Sequence, residues 1–166
     1  MPLSPKQQVA LKQATKRINL FEGCVRSGKT FCANTLFLEQ CYLIPFDKFL
    51  LTGKTKDTLK RNVTEDLIKI IGEHNCEYNA HMGELSYKVG KENRKIYCVG
   101  ALDERSIGRI QGGTFGSWYA DERVTHPENF SEMARTRLSV PKSRMYWTFN
   151  PESPYHPVYK EYIEKR

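Results

Sequence analysis

The sequence predicts an α/β fold with a mostly parallel central sheet flanked by helices, and three observations carry that prediction. Residues 23 to 30 (Gly23, Cys24, Val25, Arg26, Ser27, Gly28, Lys29, Thr30) spell G-x-x-x-x-G-K-[ST], a phosphate-cradling P-loop. The motif stands between a short apolar run, Ile18 to Glu22, and a segment of helical periodicity, Thr30 to Tyr42. A second strand and helix follow, and such alternation implies right-handed crossovers between parallel strands.

Taken in order, the chain first shows a helix over residues 4 to 17. Ser4 is its N-cap, Pro5 its first helical position, and Val9 and Leu11 its apolar contacts. A glutamine here, Gln7 or Gln8, can read an adenine edge because its amide both donates and accepts; either can equally be a solvated helix residue. The run Ile18 to Glu22 is the strand before the P-loop. In the loop, glycines let backbone N–H groups close around phosphates, Lys29 reaches the β- and γ-phosphates, and the Thr30 hydroxyl can ligate Mg²⁺. The helix after it carries Phe31, Leu36, Leu38 and Tyr42.

Pro45 to Asp47 turn the chain into a second strand, Lys48 to Gly53. Thr55 to Ile71 then places Leu59, Val63, Leu67, Ile68 and Ile71 at 3.6-residue spacing and stops at Gly72. Glu84 to Val89 alternates as a strand does, Gly90 to Asn93 turns, and Arg94 to Val99 returns, which makes a hairpin leading into a core strand. A glycine-rich loop, Ser106 to Gly113, precedes a strand Thr114 to Ala120 that ends at Asp121 and Glu122.

That acidic pair is the second informative stretch. Ligands of open α/β sheets bind beyond the carboxyl ends of the strands, so Asp121 can hold Mg²⁺ opposite Thr30. Glu122 then faces the γ-phosphate, where a carboxylate can deprotonate an attacking water. Asp103 and Glu104 also follow a strand, but with Arg105 next to them they read as a solvated loop. Glu128 to Leu138 form a helix in which Arg135 and Arg137 pair with the helix dipole or the surface. The strand Arg144 to Pro151 ends in Asn150-Pro151, where the amide either contacts the γ-phosphate or terminates the strand. Tyr155 to Ile163 is a short last helix.

Composition sets bounds around these motifs. The 166 residues suffice for about one domain with a real core. No run of 18 apolar residues and no signal peptide is present, so a soluble, cytoplasmic protein without membrane contact is expected. Cysteines 24, 32, 41, 76 and 98 form no C-x-x-C pair and read as reduced thiols rather than a zinc site or disulfide framework. Lys and Arg number 26 against 19 Asp and Glu, a net charge of +7. That excess is compatible with a polyanion partner without requiring one.

The ordered set resembles a known family. Asn-Leu-Phe-Glu-Gly followed by Arg-Ser-Gly-Lys-Thr, Tyr119 to Glu122, Thr148 to Pro151, and Tyr155 to Tyr159 together are similar to the ATPase domain of bacteriophage terminase large subunits, DNA-packaging motors. The resemblance runs from Gln7 to Tyr162. It implies a P-loop NTPase fold of the additional-strand, catalytic-glutamate type, with Mg-ATP as the bound species and Glu122 as the catalytic residue. Thr148, Phe149 and Asn150 look like the motif that couples hydrolysis to DNA movement, and Gln7 or Gln8 like the adenine-reading glutamine. Arg26 matches the arginine of the family's P-loop, acting in cis. Arg109 is the candidate for an arginine supplied to a neighbouring subunit's ATP.

By the same resemblance the expected partners are double-stranded DNA, a portal and a small terminase subunit. The expected assembly is a homo-oligomeric ring when active, with a monomer as the alternative in isolation, in the cytoplasm of a bacterial host. Residues 1 to 166 are read as one P-loop ATPase domain, without the acid cluster of the family's C-terminal nuclease. Two other function classes stay open: a nucleotide-binding assembly module with little turnover, and a small P-loop kinase, against which Glu122 argues.

Overall fold

The computed structural model describes residues 3–24, 27–102, 104–151 and 155–164. Its centre is a seven-stranded sheet of order β1-β7-β6-β2-β5-β4-β3. The strands are β1 (Ile18–Glu22), β2 (Lys48–Gly53), β3 (Cys76–Asn79), β4 (Glu84–Val89), β5 (Glu92–Gly100), β6 (Ser117–Ala120) and β7 (Arg144–Phe149). From β1 to β5 across the sheet every pairing is parallel, and β4 and β3 add antiparallel edges. β7 lies between the P-loop strand β1 and the acidic strand β6, which is the additional strand of the expected type.

Among the described residues six α-helices flank this sheet: α1 (Pro5–Gln13), α2 (Lys29–Leu43), α3 (Lys56–Leu59), α4 (Glu65–Ile71), α5 (Ile107–Ile110) and α6 (Glu128–Thr136). α1 begins as expected. Ser4 caps it through a reciprocal capping box in which Gln7 N donates to Ser4 Oγ at 3.3 Å and Ser4 N donates to Gln7 Oε1 at 2.9 Å. The helix ends at Gln13 rather than residue 17. Leu11 packs against the core as expected, but Val9 is 50% exposed and Ala10 makes the second contact.

The face of α2 also differs from the expected one. Phe31 and Tyr42 are exposed, whereas Cys32, Ala33, Leu36, Phe37, Leu38 and Cys41 are buried against the sheet. A helix seated over the middle of a sheet buries a broader face than its largest apolar side chains mark. The segment 56–71 buries Leu59, Val63, Leu67 and Ile71 as predicted, but a π-helical turn over Lys60–Thr64 interrupts it between α3 and α4. β3 is an element that periodicity had not marked, because Cys76–Asn79 is short and half exposed. The strand expected from Thr114 is hydrogen-bonded only from Ser117, and the last helical turn is π-helical over Tyr159–Ile163.

Strand register is what builds the site. Glu22 pairs with Phe149, Ala120 with Trp147 and with Thr52, so Gly23, Asn150, Asp121 and Gly53 emerge together at one edge. Gly100 pairs with Gly53. A Cβ on Gly100 would come within 2.9 Å of Lys56 N and 3.0 Å of Thr55 Cα, so only glycine lets α3 start this close to the sheet. β6 is buried on both faces. Trp118 and Trp147 meet edge-on at 5.4 Å on the α6 side, while Tyr119 and Phe37 meet at 5.8 Å on the α2 side. Among the described residues no helix is long and apolar enough to cross a membrane.

Candidate functional site

The P-loop connects β1 to α2, and its last glycine shows why the motif needs one. Gly28 has φ 82° and caps α2 in the left-handed region, where a Cβ would also strike the side-chain amide of Gln7. Gln7 thus overhangs the loop. Gln8 is exposed and donates to the Leu3 carbonyl at 3.1 Å, so of the two candidate glutamines only Gln7 reaches the cradle. Val25 and Arg26 lie outside the described residues, as do Asp103 and the Glu104 side chain.

Lys29 is held by oxygen atoms. Its Nζ donates to Asn150 Oδ1 at 2.8 Å and to the Cys24 carbonyl at 3.2 Å, and Ser27 N bonds the same carbonyl at 3.2 Å. The P-loop lysine and the amide at the end of β7 are therefore direct partners. Cys24 is an exposed free thiol in this loop. Thr30 stands in the first turn of α2.

Across from it, Asp121 is 7% exposed and accepts a 2.8 Å hydrogen bond from Thr148 Oγ1, while its own amide bonds Thr52 O at 2.8 Å. Burial raises its pKa, and Glu122 adds to the rise. The Thr148 hydroxyl opposes it, as do the Lys29 charge and the amide of Asn62 from the π-helical turn. The result is a desolvated carboxylate short of positive charge, which a cation would stabilise.

Glu122 follows with φ 50°, a left-handed conformation that costs a non-glycine residue and is held only where the surroundings enforce it. Here Thr125 N and Oγ1 bond its carbonyl at 2.8 and 2.9 Å, and its amide bonds Thr148 Oγ1 at 3.4 Å. Glu122 is thereby half-buried at the turn while Asp121 stays buried.

A buried network fixes the same turn from the other face of the sheet. Trp118 Nε1 donates to Thr52 Oγ1 at 2.9 Å, and Thr52 Oγ1 meets His126 Nε2 at 2.8 Å. Burial, with Arg123 nearby, lowers the His126 pKa from 6.5 to about 3. The unfolded chain therefore takes up a proton near pH 6.5 that the folded chain refuses until about pH 3. Stability is intact above that range and falls by about 1.4 kcal/mol per pH unit on acidification between them. Urea unfolding at pH 7, 6 and 5 should give a shallower dependence for His126→Gln; equal slopes would remove this role.

Other candidates lie apart from the cluster. Arg109 is exposed on α5, without a hydrogen bond to the described P-loop residues. Arg135 donates to Tyr162 Oη at 2.6 Å, and Arg137 contacts the Met133 sulfur at 3.2 Å, so both serve local packing. A groove of about 1010 Å³ sits at the opposite end of the strands between Arg17, Leu43, Phe46 and Lys142 and shares no residue with the site. Sequence reasoning missed Tyr119, Asn62, Thr52 and His126 around the acidic pair. Only Tyr119 left a signal, since alternation along β6 puts it on the face of Asp121.

Comparison with known proteins bears on the family and the fold. A family model described as Terminase large subunit, T4likevirus-type, N-terminal matches residues 20–166. No curated protein matches. A solved large terminase from a thermophilic bacteriophage superposes with TM-score 0.87 at 26% identity, covering 99% of this chain and 43% of that one. The same protein in complex with ATP-gamma-S gives TM-score 0.83 at 26% identity, with 99% and 42% covered. The Thermus phage P74-26 large terminase ATPase domain shares the fold, with TM-score 0.68 at 16% identity over 92% of this chain and 66% of that one. The chain thus spans less than half the length of the full large terminase it resembles. With the family model covering most of its residues, the chain belongs to the terminase large subunit family, T4likevirus-type, N-terminal.

Proposed function

We propose that this chain binds Mg-ATP between the P-loop and Asp121 and hydrolyses it, as the ATPase part of a large terminase that drives double-stranded DNA into a procapsid. The observation that carries the reading is the meeting of Lys29, Asn150, Asp121 and Glu122 at one sheet edge, with Lys29 bonded to Asn150 and Asp121 to Thr148. The large terminase of the thermophilic phage in complex with ADP or ATP-gamma-S adds support for nucleotide as the ligand.

In this reading the P-loop amides and Lys29 hold the phosphates, with Gln7 over the loop on the adenine side. A hydroxyl and a desolvated carboxylate are hard oxygen donors that suit Mg²⁺, so Thr30 and Asp121 would hold it. An ion held by these two residues would supply positive charge against the negative charge that develops during phosphoryl transfer. Glu122 takes the proton of the attacking water. Asn150 exchanges Lys29 for the γ-phosphate, so that loss of the phosphate is felt along β7. Arg26 is assigned to the phosphates in cis and Arg109 to the neighbouring subunit's site in a ring. The portal and the small terminase subunit are the proposed docking partners.

Steady-state ATP hydrolysis over a protein concentration series, with and without double-stranded DNA, tests the proposal. Turnover per chain that rises with concentration or DNA supports a trans-completed motor; Mg-ATP binding without turnover would shift the reading to an assembly module. Lys29→Ala should weaken fluorescent ATP-analogue binding roughly 10- to 100-fold, as expected for losing charge-assisted hydrogen bonds of about 1.5–3 kcal/mol. Unchanged affinity would place the nucleotide elsewhere.

A further inference from the structure

The strand that carries the acidic pair also carries a buried hydroxyl for which the reaction above has no use. Tyr119 is fully buried, its ring against Phe37 of α2. Its hydroxyl forms no hydrogen bond. It nevertheless faces the hydroxyls of Thr30 and Thr148, with the Asp121 carboxylate close by. Its hydroxyl carries one proton to give and lone pairs to receive. Phenylalanine would fill the same space without an unpaired polar atom, so the oxygen needs a reason.

Proton counting supplies one. Thr148 Oγ1 gives its only proton to Asp121 Oδ1 and receives the Glu122 amide, which leaves it a lone pair but no proton. Any bond between Tyr119 and Thr148 therefore has Tyr119 as the donor. The Tyr119 oxygen then has lone pairs left for one source of a proton on its other side, the Thr30 hydroxyl. With both Tyr119 bonds made, the directions are fixed: Thr30 to Tyr119, Tyr119 to Thr148, Thr148 to Asp121.

We propose that Tyr119 is a positioning residue that links the P-loop hydroxyl of Thr30 to the Asp121 carboxylate through Thr148, in a one-way chain of three hydroxyls that closes when Mg-ATP is bound. A threonine that presents a lone pair to Mg²⁺ must send its proton elsewhere, and Tyr119 receives it. The chain ends on the carboxylate that shares the ion, and through the Glu122 amide it also reaches the turn that aims the general base. This inference rests on the Mg-ATP reading above.

Tyr119→Phe removes only the oxygen. Fluorescent ATP-analogue binding is measured in EDTA and over a Mg²⁺ series, beside thermal unfolding and turnover. The midpoint of unfolding and the EDTA affinity should stay at wild-type values. The Mg²⁺ concentration for half-maximal binding should rise about 10-fold, in line with the loss of a group that orients metal ligands, and turnover should fall with it. Thr148→Val cuts the same chain one hydroxyl later, so the double variant should be no worse in Mg²⁺ dependence than Thr148→Val alone.

A wild-type Mg²⁺ curve in Tyr119→Phe, or additive losses in the double variant, overturns the proposal and leaves Tyr119 as packing. So does a loss of EDTA affinity or a lower unfolding midpoint that tracks the Mg²⁺ effect. If the wild-type chain shows no Mg²⁺-dependent nucleotide binding, the Mg-ATP reading itself fails and takes the relay with it; that result comes before any variant is compared.

Discussion

Glu122→Gln should abolish ATP turnover, by about 10²- to 10⁴-fold, while Mg-ATP remains bound. Glutamine keeps the length and shape of the side chain and loses only the ability to take a proton from water. The backbone gives no reason for a wider effect. The φ of 50° at this position is imposed by Thr125 and Thr148 through main-chain atoms, and glutamine meets the same cost as glutamate there. Phosphate release and analogue affinity, measured side by side, separate chemistry from binding. Residual turnover within tenfold of wild type would move the base role to another group.

The second large effect concerns stability next to that residue. Arg123 is fully buried, donates twice to Glu128 at 2.9 and 3.1 Å, and lies 5.1 Å from the Trp147 ring centroid. Its Nε and Nη1 have no hydrogen-bond partner. Glu128→Ala would leave a buried guanidinium without its carboxylate, which costs about 3–5 kcal/mol in such settings. Glu128 is itself a third exposed, so water can reach the gap and the low end, about 3 kcal/mol, is the expected loss in urea unfolding. A loss below about 1 kcal/mol would show that the indole face alone stabilises Arg123. Turnover should fall as well, because Arg123 opens the turn that holds Glu122 in its left-handed conformation.

Much of this molecule was legible before any coordinates. The strands Ile18–Glu22 and Lys48–Gly53 emerge with the predicted bounds, and the strand from Arg144 stops at Phe149, just short of the Asn-Pro expected to end it, because each is a short apolar run closed by a turn residue or by the P-loop glycine. The cap at Ser4 and the stop at Gly72 were readable for a similar reason: both depend on groups within a few residues. The face of α2 was not readable, since Phe31 and Tyr42 are as apolar as Leu36 and Leu38. What exposes the first pair is the position of the sheet beneath the helix. β3 escaped notice because its half-exposed residues owe their strand state to pairing with β4.

For the site, the sequence by itself determined the parts: a phosphate cradle, a lysine, an acidic pair and an amide at a strand end. Those follow from residue type and local spacing. Only the tertiary structure decided which of them touch. The choice of Gln7 over Gln8, the bond from Lys29 to Asn150 and the Thr148 hydroxyl on Asp121 depend on strands far apart in sequence. Their register is set by burial of β6 and β7 between two helix layers, where a shift of one residue would turn each buried face outward. The orphan hydroxyl of Tyr119 belongs to the same class, because a polar atom is unpaired only with respect to neighbours that folding supplies.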